Sequence, residues 1–342
     1  MFLSWIIFVT LLSSTLCEAS KLLVATGYNL NLADEGTGTL ASTEIFDVSD
    51  SSNDCPDLGV YPMAVELAVG GLLDGQVPVI CGGDDANHGN YTLNNFCYTL
   101  GPQKLSVELP EDFVQFASSI MINSSHLWIT GGNAEGKTAF VYIEGDELKV
   151  EFGPRIPEPV SFHCMAQLSD TAFILIGGLL SGPSDYTVIY DFATEEWTVG
   201  PKLHSERYLQ SCGTIYDPET DRTLVAVAHG SFPGSVPIAP MEYLDVNNIE
   251  LGFGLEFPDL PNVWPNVISG HSLVQVTKSS MILVGGNYYD YSDPHGFYMN
   301  EDMFLLECTE DGCEWTVIDQ KLADPRAYFV AMMITDQLTN CR

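Results

Sequence analysis

Basic residues are scarce in this chain of 342 residues: 12 Lys and Arg stand against 46 Asp and Glu, for a net charge of −34. Such a surface repels phosphate backbones and anionic lipid headgroups, so nucleic acid is excluded as an expected partner. Cationic partners and divalent ions would be attracted, although an acidic surface also serves solubility alone. The composition therefore favours an acidic, soluble protein whose partner, if charged, is cationic.

Long hydrophobic runs are also lacking, since no segment after the N-terminus reaches 18 apolar residues, which argues against membrane insertion. The opening segment, MFLSWIIFVTLLSSTLCEASK, resembles a secretory signal, although it has no Lys or Arg before its apolar run. We expect cleavage after Cys17 or Ala19. Residues 1–19 would then be a signal peptide, and 20–342 a single secreted, extracellular domain. The alternative is an uncleaved signal anchor.

Nine cysteines are present, and eight remain if Cys17 leaves with the signal peptide. An even number of cysteines in an exported chain favours disulfide bonds. Two N-x-[ST] sequons, at Asn90 and Asn123, fit the same compartment and predict glycosylation. Together these features indicate an extracellular glycoprotein with disulfide bonds.

No helical period is found after the signal segment, but a short apolar run that ends in Gly-Gly recurs. The copies are VPVICGG, HLWITGG, AFILIGG and MILVGG, with weakened copies in LLVATGY and LVAVAHG. They lie 46 to 56 residues apart. Each unit adds a preceding strand and two following strands, joined by polar turns. Six units of four antiparallel strands predict a β-propeller.

The spacing within a unit resembles the kelch repeat. The fourth unit carries nearly the whole pattern, in Gly177, Gly178, Tyr190, Asp191, Trp197, Pro201, Leu203 and Arg207. The sixth unit carries Gly285, Gly286, Trp315 and Arg326. The resemblance implies an all-β, six-bladed, kelch-type β-propeller. The last segment, AYFVAMMITDQ, resembles a first strand, so we expect it to complete the N-terminal blade and close the ring.

This layout also suggests how the cysteines pair, although eight cysteines allow 105 pairings. Two of them flank the turn TEDG and should face each other, and two others fall at matching places on first strands of adjacent blades. The predicted pairs are Cys308–Cys313, Cys164–Cys212, Cys81–Cys97 and Cys55–Cys341.

Kelch propellers commonly bind partners through the loops between their second and third strands and between blades. In this sequence those loops supply the binding-face candidates Asp84, Asp85, His88, Asn133, Asn287 and Tyr288. Arg207 and Arg326 precede first strands at matching places, where a guanidinium could hold a carboxylate in a bidentate manner. The alternative is that each arginine pairs with one of the many acidic residues nearby.

Catalysis is the other possibility, because some kelch-type propellers are sugar-directed enzymes, either galactose-oxidase-like or sialic-acid mutarotase-like. His163 and His271 both lie fifteen residues before the second glycine of their units. We interpret them as satisfied channel histidines rather than as metal ligands. No catalytic pair is evident, so we expect no cofactor and a binding module for an extracellular protein or glycan; the alternative is a sugar-directed enzyme.

Overall fold

The computed structural model describes residues 21–35, 38–50, 55–85, 92–110, 116–132, 135–231, 240–261, 268–289 and 296–339. The strands of this part, numbered in chain order, are β1 (Lys21–Ala25), β2 (Thr43–Asp47), β3 (Val69–Leu73), β4 (Val77–Cys81), β5 (Asp84–Asp85), β6 (Thr92–Leu93), β7 (Phe96–Thr99), β8 (Ser106–Glu108), β9 (Ser118–Met121), β10 (His126–Thr130), β11 (Thr138–Glu144), β12 (Glu147–Phe152), β13 (Cys164–Gln167), β14 (Ala172–Ile176), β15 (Thr187–Asp191), β16 (Glu196–Val199), β17 (Ser211–Asp217), β18 (Arg222–Ala228), β19 (Met241–Asp245), β20 (Ile268–Ser269), β21 (Ser272–Thr277), β22 (Ser280–Val284), β23 (Asn287–Tyr289), β24 (Phe297–Met299), β25 (Asp302–Thr309), β26 (Gly312–Lys321) and β27 (Val330–Ile334). Short 3₁₀ turns cover Leu30–Glu35, Ile249–Leu251 and Asp336–Leu338.

Six antiparallel sheets of three or four strands make up most of the described chain. In the order of their hydrogen-bonded neighbours they are β27-β1-β2, β3-β4-β7-β8, β9-β10-β11-β12, β13-β14-β15-β16, β17-β18-β19 and β21-β22-β25-β26. There are two smaller sheets in the described chain, β5-β6 and β20-β23-β24. Their strands lie in loops that follow second strands, except β20, which precedes the inner strand β21. The chain is therefore a β-propeller whose sheets each begin with an inner strand.

The inner strands contact one another in cyclic order, from β27 to β3, β9, β13, β17 and β21, and back to β27. The last strand lies beside the first, with Ala25 opposite Val330 and Lys21 opposite Ile334. This is the pairing that the terminal sequence pattern predicted. It covers sheet edges that would otherwise offer unpaired backbone groups to another chain.

The second strands are buried on both faces because each is packed between two neighbouring sheets. In β14, Phe173, Ile174 and Ile176 are fully buried, and the strand ends at the Gly-Gly pair. Gly178 has φ +95°, and a Cβ there would lie 2.5 Å from the carbonyl oxygen of Ser161. Only glycine fits this turn, which explains why the pair recurs after second strands.

Aromatic residues fill the space between neighbouring sheets. Tyr190 lies opposite Trp197 on β15 and β16, and their ring centroids are 4.8 Å apart. Both rings pack near Trp128 of the preceding sheet, at 5.7 Å and 6.0 Å. The aromatic positions of the repeat therefore serve packing rather than binding.

Three predicted disulfide bonds are present: Cys81–Cys97, Cys164–Cys212 and Cys308–Cys313. The second one joins the inner strands β13 and β17 of adjacent sheets. Cys55 is also disulfide-bonded, whereas Cys341, its predicted partner, lies outside the described residues. These bonds indicate an oxidising compartment. Over the described ranges, the structure has no helix that is long and apolar enough to cross a membrane.

Candidate functional site

A ring of six residues with left-handed backbone conformation surrounds the start of the inner strands. Each lies two positions before its strand, and their φ angles run from 55° to 63°. The ring consists of Leu67, Phe116, Phe162, Leu209, Gly270 and Tyr328. Five of these residues are not glycine, so the backbone is strained at a repeated position, as is common at functional sites.

Backbone hydrogen bonds connect this ring from one sheet to the next. The N–H of Tyr328 donates to the carbonyl of Gly270 at 2.8 Å, and the N–H of Leu67 donates to the carbonyl of Tyr328 at 2.8 Å. Equivalent bonds run from Gly270 to Leu209 and from Leu209 to Phe162. The strained conformation is therefore held by bonds that also link neighbouring sheets around the axis.

The ring forms the rim of a cavity of about 120 Å³, at the end of the propeller where the inner strands begin. Its half-buried apolar side chains include Phe116 and Phe162, whose ring centroids are 4.3 Å apart. At Gly270, a Cβ would lie 2.4 Å from the Tyr328 ring, so glycine makes room for that phenol. We call this cavity and its rim the funnel.

The residues that follow the rim in sequence line the floor of the funnel: Ala68, Ala117, His163, Gln210, His271 and Phe329. Burial lowers the pKa of both histidines to about 3, helped for His271 by the nearby His229. Both imidazoles are therefore neutral at physiological pH. The structure brings together two histidines that the sequence placed two blades apart.

The expectation of satisfied histidines is wrong for both residues. Nε2 of His163 lies 2.8 Å from Thr130 Oγ1, but its buried Nδ1 has no hydrogen-bond partner, and the two buried ring nitrogens of His271 have none either. Gln210, which the sequence reasoning missed, donates from Nε2 to the Ile176 carbonyl at 2.6 Å, while its buried Oε1 has no partner. The repeat could have pointed to Gln210. It lies three residues after Arg207, as Phe329 lies three residues after Arg326, so the two residues occupy the same position of the repeat. Within the described residues, no three His, Cys, Asp or Glu side chains gather as metal ligands.

One side of the rim is polar. Asn287 donates from Nδ2 to the Tyr328 hydroxyl oxygen at 3.0 Å, and Ser269 donates from Oγ to Asn287 Oδ1 at 2.7 Å. Burial raises the pKa of Tyr328, and the charge of Glu66 adds to that effect. Among the described residues no acceptor takes the Tyr328 hydroxyl proton, so this donor is available to a ligand.

Glu66 is the second polar group at this side, and sequence reasoning did not single it out. It precedes Leu67 of the ring, and its backbone pairs with Asp84 through bonds of 2.9 and 3.0 Å. Burial and the charge of Asp84 raise the pKa of Glu66 from 4.5 to about 7. Glu66 is therefore a carboxyl group that holds its proton near neutral pH.

The two arginines proposed for the binding face are placed elsewhere. Arg207 and Arg326 are 0% exposed, and they form ion pairs with Glu242 and Glu44. Each also donates to carbonyls that follow a second strand or precede a third: His229, Pro240, Thr26 and Ser42. The prediction of a ligand-binding guanidinium is thus corrected, because burial leaves neither group accessible. Each arginine joins an interblade loop to the next sheet.

The remaining candidates divide between the funnel and its surroundings. Asn287 contacts the rim through its hydrogen bond to Tyr328, and Asp84 pairs with Glu66, next to Leu67 of the rim, but neither lines the cavity. Asp85 accepts a hydrogen bond from Thr39 at 3.1 Å. Tyr288 stacks on Tyr298, with centroids 5.4 Å apart, on the small outer sheet. His88 and Asn133 lie outside the described residues, as does the sequon Asn90. Asn123 is exposed on the β9–β10 turn, at the opposite end of the propeller.

Fold and site together define a β-propeller with an amphipathic funnel at one face. The solved structure titled "Structure of YjhT" is similar, with a TM-score of 0.62, and covers 81% of this chain and 91% of its own. The two sequences are 11% identical, so the likeness shows the fold alone. A scan of protein-family models and a search of curated proteins returned no match.

Proposed function

We propose that this protein is a secreted β-propeller binding module that takes an uncharged saccharide of an extracellular glycan in the funnel. The observation that carries the proposal is the division of the rim. Phe116 and Phe162 form an apolar side, while the hydroxyl of Tyr328, which is hydrogen-bonded to Asn287 and feels the charge of Glu66, makes the other side polar. A pyranose ring has the matching division, with C–H groups on its faces and hydroxyls at its edge.

Charge supports an uncharged ligand rather than an acidic one. No Lys or Arg side chain lines the cavity, and the two histidines of its floor are uncharged. Arg207 and Arg326 are both paired with glutamates, the buried Glu242 and the half-buried Glu44. A concave, mostly apolar site with a few polar groups is typical for a small ligand or a terminal sugar, and is narrower than a protein partner needs.

Secretion is part of the proposal. The signal-like N-terminus supports it, as do the eight cysteines that would remain after its removal, and three disulfide bonds fit an oxidising compartment. The kelch-like spacing also supports a binding role for this face, because such propellers commonly use the same loops.

A glycan array tests the proposal, with Phe162→Ala as the site variant and Val199→Ala as its control. Val199 is 74% exposed on β16, outside the funnel, so its loss should leave binding unchanged. Loss of the Phe162 ring should weaken binding about tenfold, since such a contact contributes about 1.5 kcal/mol. Equal binding by both variants, or capture of proteins alone in a parallel pull-down, would contradict the proposal.

A sugar-directed enzyme is the second candidate, and Glu66 is the observation that favours it. A carboxyl with a pKa of about 7 can act as a general acid near neutral pH, and Asp84 lies beside it. Incubation of reducing sugars with wild type and Glu66→Gln, followed by NMR, tests this candidate. Anomer exchange or product formation that only the wild type accelerates would support it, and no difference from buffer would dismiss it.

A further inference from the structure

The floor of the funnel divides into a polar and an apolar half. Each floor residue lies one position before the inner strand of its sheet. The sheets that begin with β13, β17 and β21 follow one another around the axis, and they supply His163, Gln210 and His271. The other sheets supply Ala68, Ala117 and Phe329. The three polar side chains therefore form one continuous arc, which we call the polar arc.

The polar arc contains atoms that the protein itself leaves unpaired. His163, Gln210 and His271 are 5%, 6% and 7% exposed. Nδ1 of His163, Oε1 of Gln210 and both ring nitrogens of His271 have no hydrogen-bond partner in the part of the chain that the structure describes. Native proteins rarely leave buried polar atoms unsatisfied, so each such atom requires an explanation. Because all three side chains line the cavity, a ligand in the funnel can supply the missing partners.

His163 and Gln210 are neighbours within the arc, since both contact the same glycine pair. A Cβ at Gly177 would lie 2.8 Å from Gln210 Nε2, and a Cβ at Gly178 would lie 3.0 Å from His163 Cβ. The ring residues that directly precede them are also hydrogen-bonded to each other, at 3.1 Å. One ligand edge can therefore meet both side chains.

The hydrogen-bond network assigns the proton of His163 to Nε2. Burial keeps the ring neutral, with a pKa of about 3, so only one of its nitrogens is protonated. Thr130 Oγ1 lies 2.8 Å from Nε2 and 3.0 Å from the sulfur of Met165. Each contact needs a hydrogen between its two atoms, and a thioether has none to give, so Thr130 donates to Met165 and accepts from Nε2. His163 Nδ1 is therefore a bare acceptor.

The amide of Gln210 presents a second acceptor. Its Nε2 donates to the Ile176 carbonyl at 2.6 Å, and because a carbonyl oxygen only accepts, Oε1 must be the atom without a partner. His271, being neutral, adds one acceptor and one donor. Among the unpaired atoms of the arc, acceptors thus outnumber donors. At the rim the polarity is opposite, because the Tyr328 hydroxyl accepts from Asn287 and keeps its own proton to donate.

We infer that the funnel selects a sugar edge with two neighbouring free hydroxyls, which donate to His163 Nδ1 and Gln210 Oε1, while a ligand oxygen accepts from Tyr328. The inference rests on the proposed function and names the ligand class of the same site. A hydroxyl both donates and accepts, so a diol satisfies floor and rim together. An O-sulfate, a carboxylate or an O-methyl ether only accepts, and would face the floor acceptors without a hydrogen. Sugars that carry such groups on the entering edge are therefore rejected.

Fluorinated sugars test this polarity, because a C–F group cannot donate a hydrogen bond. Wild-type protein is titrated by calorimetry with glucose and galactose, and with their monodeoxy and monodeoxyfluoro derivatives. At two adjacent positions of the better-binding sugar, the deoxy and deoxyfluoro derivatives should both bind about five- to tenfold more weakly, since each lacks a donor. If fluorine restores the affinity at every position where deoxygenation weakens it, the inference is overturned.

Gln210→Met removes one floor acceptor and should abolish the discrimination at one of the two positions. Gln275→Met is the matched control, because Gln275 is an exposed glutamine of β21 that does not line the cavity. It should keep the wild-type pattern. A Gln210→Met protein that melts cooperatively and still discriminates at both positions would also overturn the inference. If Gln210→Met does not fold, the wild-type series decides alone.

A ligand-free measurement separates this inference from the proposed function. Imidazole nitrogen NMR shifts, assigned to His163 by comparison with His163→Gln, report which ring nitrogen carries the proton. A protonated Nδ1 overturns the inference even if glycans bind. The expected tautomer combined with no binding of any sugar would instead reject the saccharide function and, with it, the role of the polar arc.

Discussion

Arg207 offers the sharpest test of how the propeller is held together, through the variant Arg207→Met. Its guanidinium is fully buried and paired with Glu242, which is also 0% exposed. Methionine roughly fills the space but leaves the glutamate charge without its partner. Removing one member of a buried ion pair typically costs about 3–5 kcal/mol.

The loss of stability in Arg207→Met is expected at the lower end of that range. Glu242 keeps two backbone donors, the N–H groups of His204 at 2.8 Å and Ser205 at 3.2 Å. We therefore expect a loss of about 3 kcal/mol. In a domain of about 320 residues each kcal/mol lowers Tm by about 1.5 °C, so Arg207→Met should melt about 4–5 °C earlier.

Thermal unfolding followed by circular dichroism measures this loss. Lys202→Met is the control, because the Lys202–Asp185 pair is solvent-exposed and contributes about 1 kcal/mol or less. Adding Glu242→Gln to Arg207→Met should restore part of the Tm, since no unpaired charge then remains buried. Equal melting of Arg207→Met and Lys202→Met would refute the structural role and return Arg207 to the binding candidates.

Four further predictions concern stability, each read from melting curves. Glu66→Gln should gain stability relative to wild type as pH rises from 4.5 to 7, because ionising Glu66 opposes folding across that window; a constant difference would contradict its raised pKa. Replacing Cys164 and Cys212 by serine should cost about 2–4 kcal/mol, and an unchanged Tm would count against this bond. Gly178→Ala should cost about 1–3 kcal/mol through its φ of +95°, and full stability would argue against the turn. Truncation after Arg326 removes β27 and should unfold or aggregate the chain; a folded monomer with an unchanged curve would disprove closure.

The repeat was readable from sequence because its signals are local. The Gly-Gly turn after β14 requires glycine for its own backbone, and Tyr190 and Trp197 face each other across one hairpin. The Cys308–Cys313 bond likewise spans a single turn. Because such interactions involve only a few neighbouring residues, the strands and their order could be predicted from the sequence. The more distant pair Cys164–Cys212 followed from the matching positions of both cysteines in successive repeats.

The site was harder to predict because its determinants are not local. Arg207 meets Glu242, 35 residues later, so its burial depends on how the next sheet packs. The left-handed ring uses Leu, Phe and Tyr, whose identities give no hint of a positive φ. The pKa of Glu66 is raised because folding buries its carboxyl group and also places the charge of Asp84 nearby.

The most direct test of the account is an NMR titration of the protein, with aromatic signals assigned, using the strongest glycan from the array. The account predicts shifts concentrated on Phe116, Phe162 and Tyr328 at the funnel, with none at the outer pair Tyr288 and Tyr298. Shifts at that outer pair, with the funnel signals unmoved, would contradict the account and place binding on the surrounding loops.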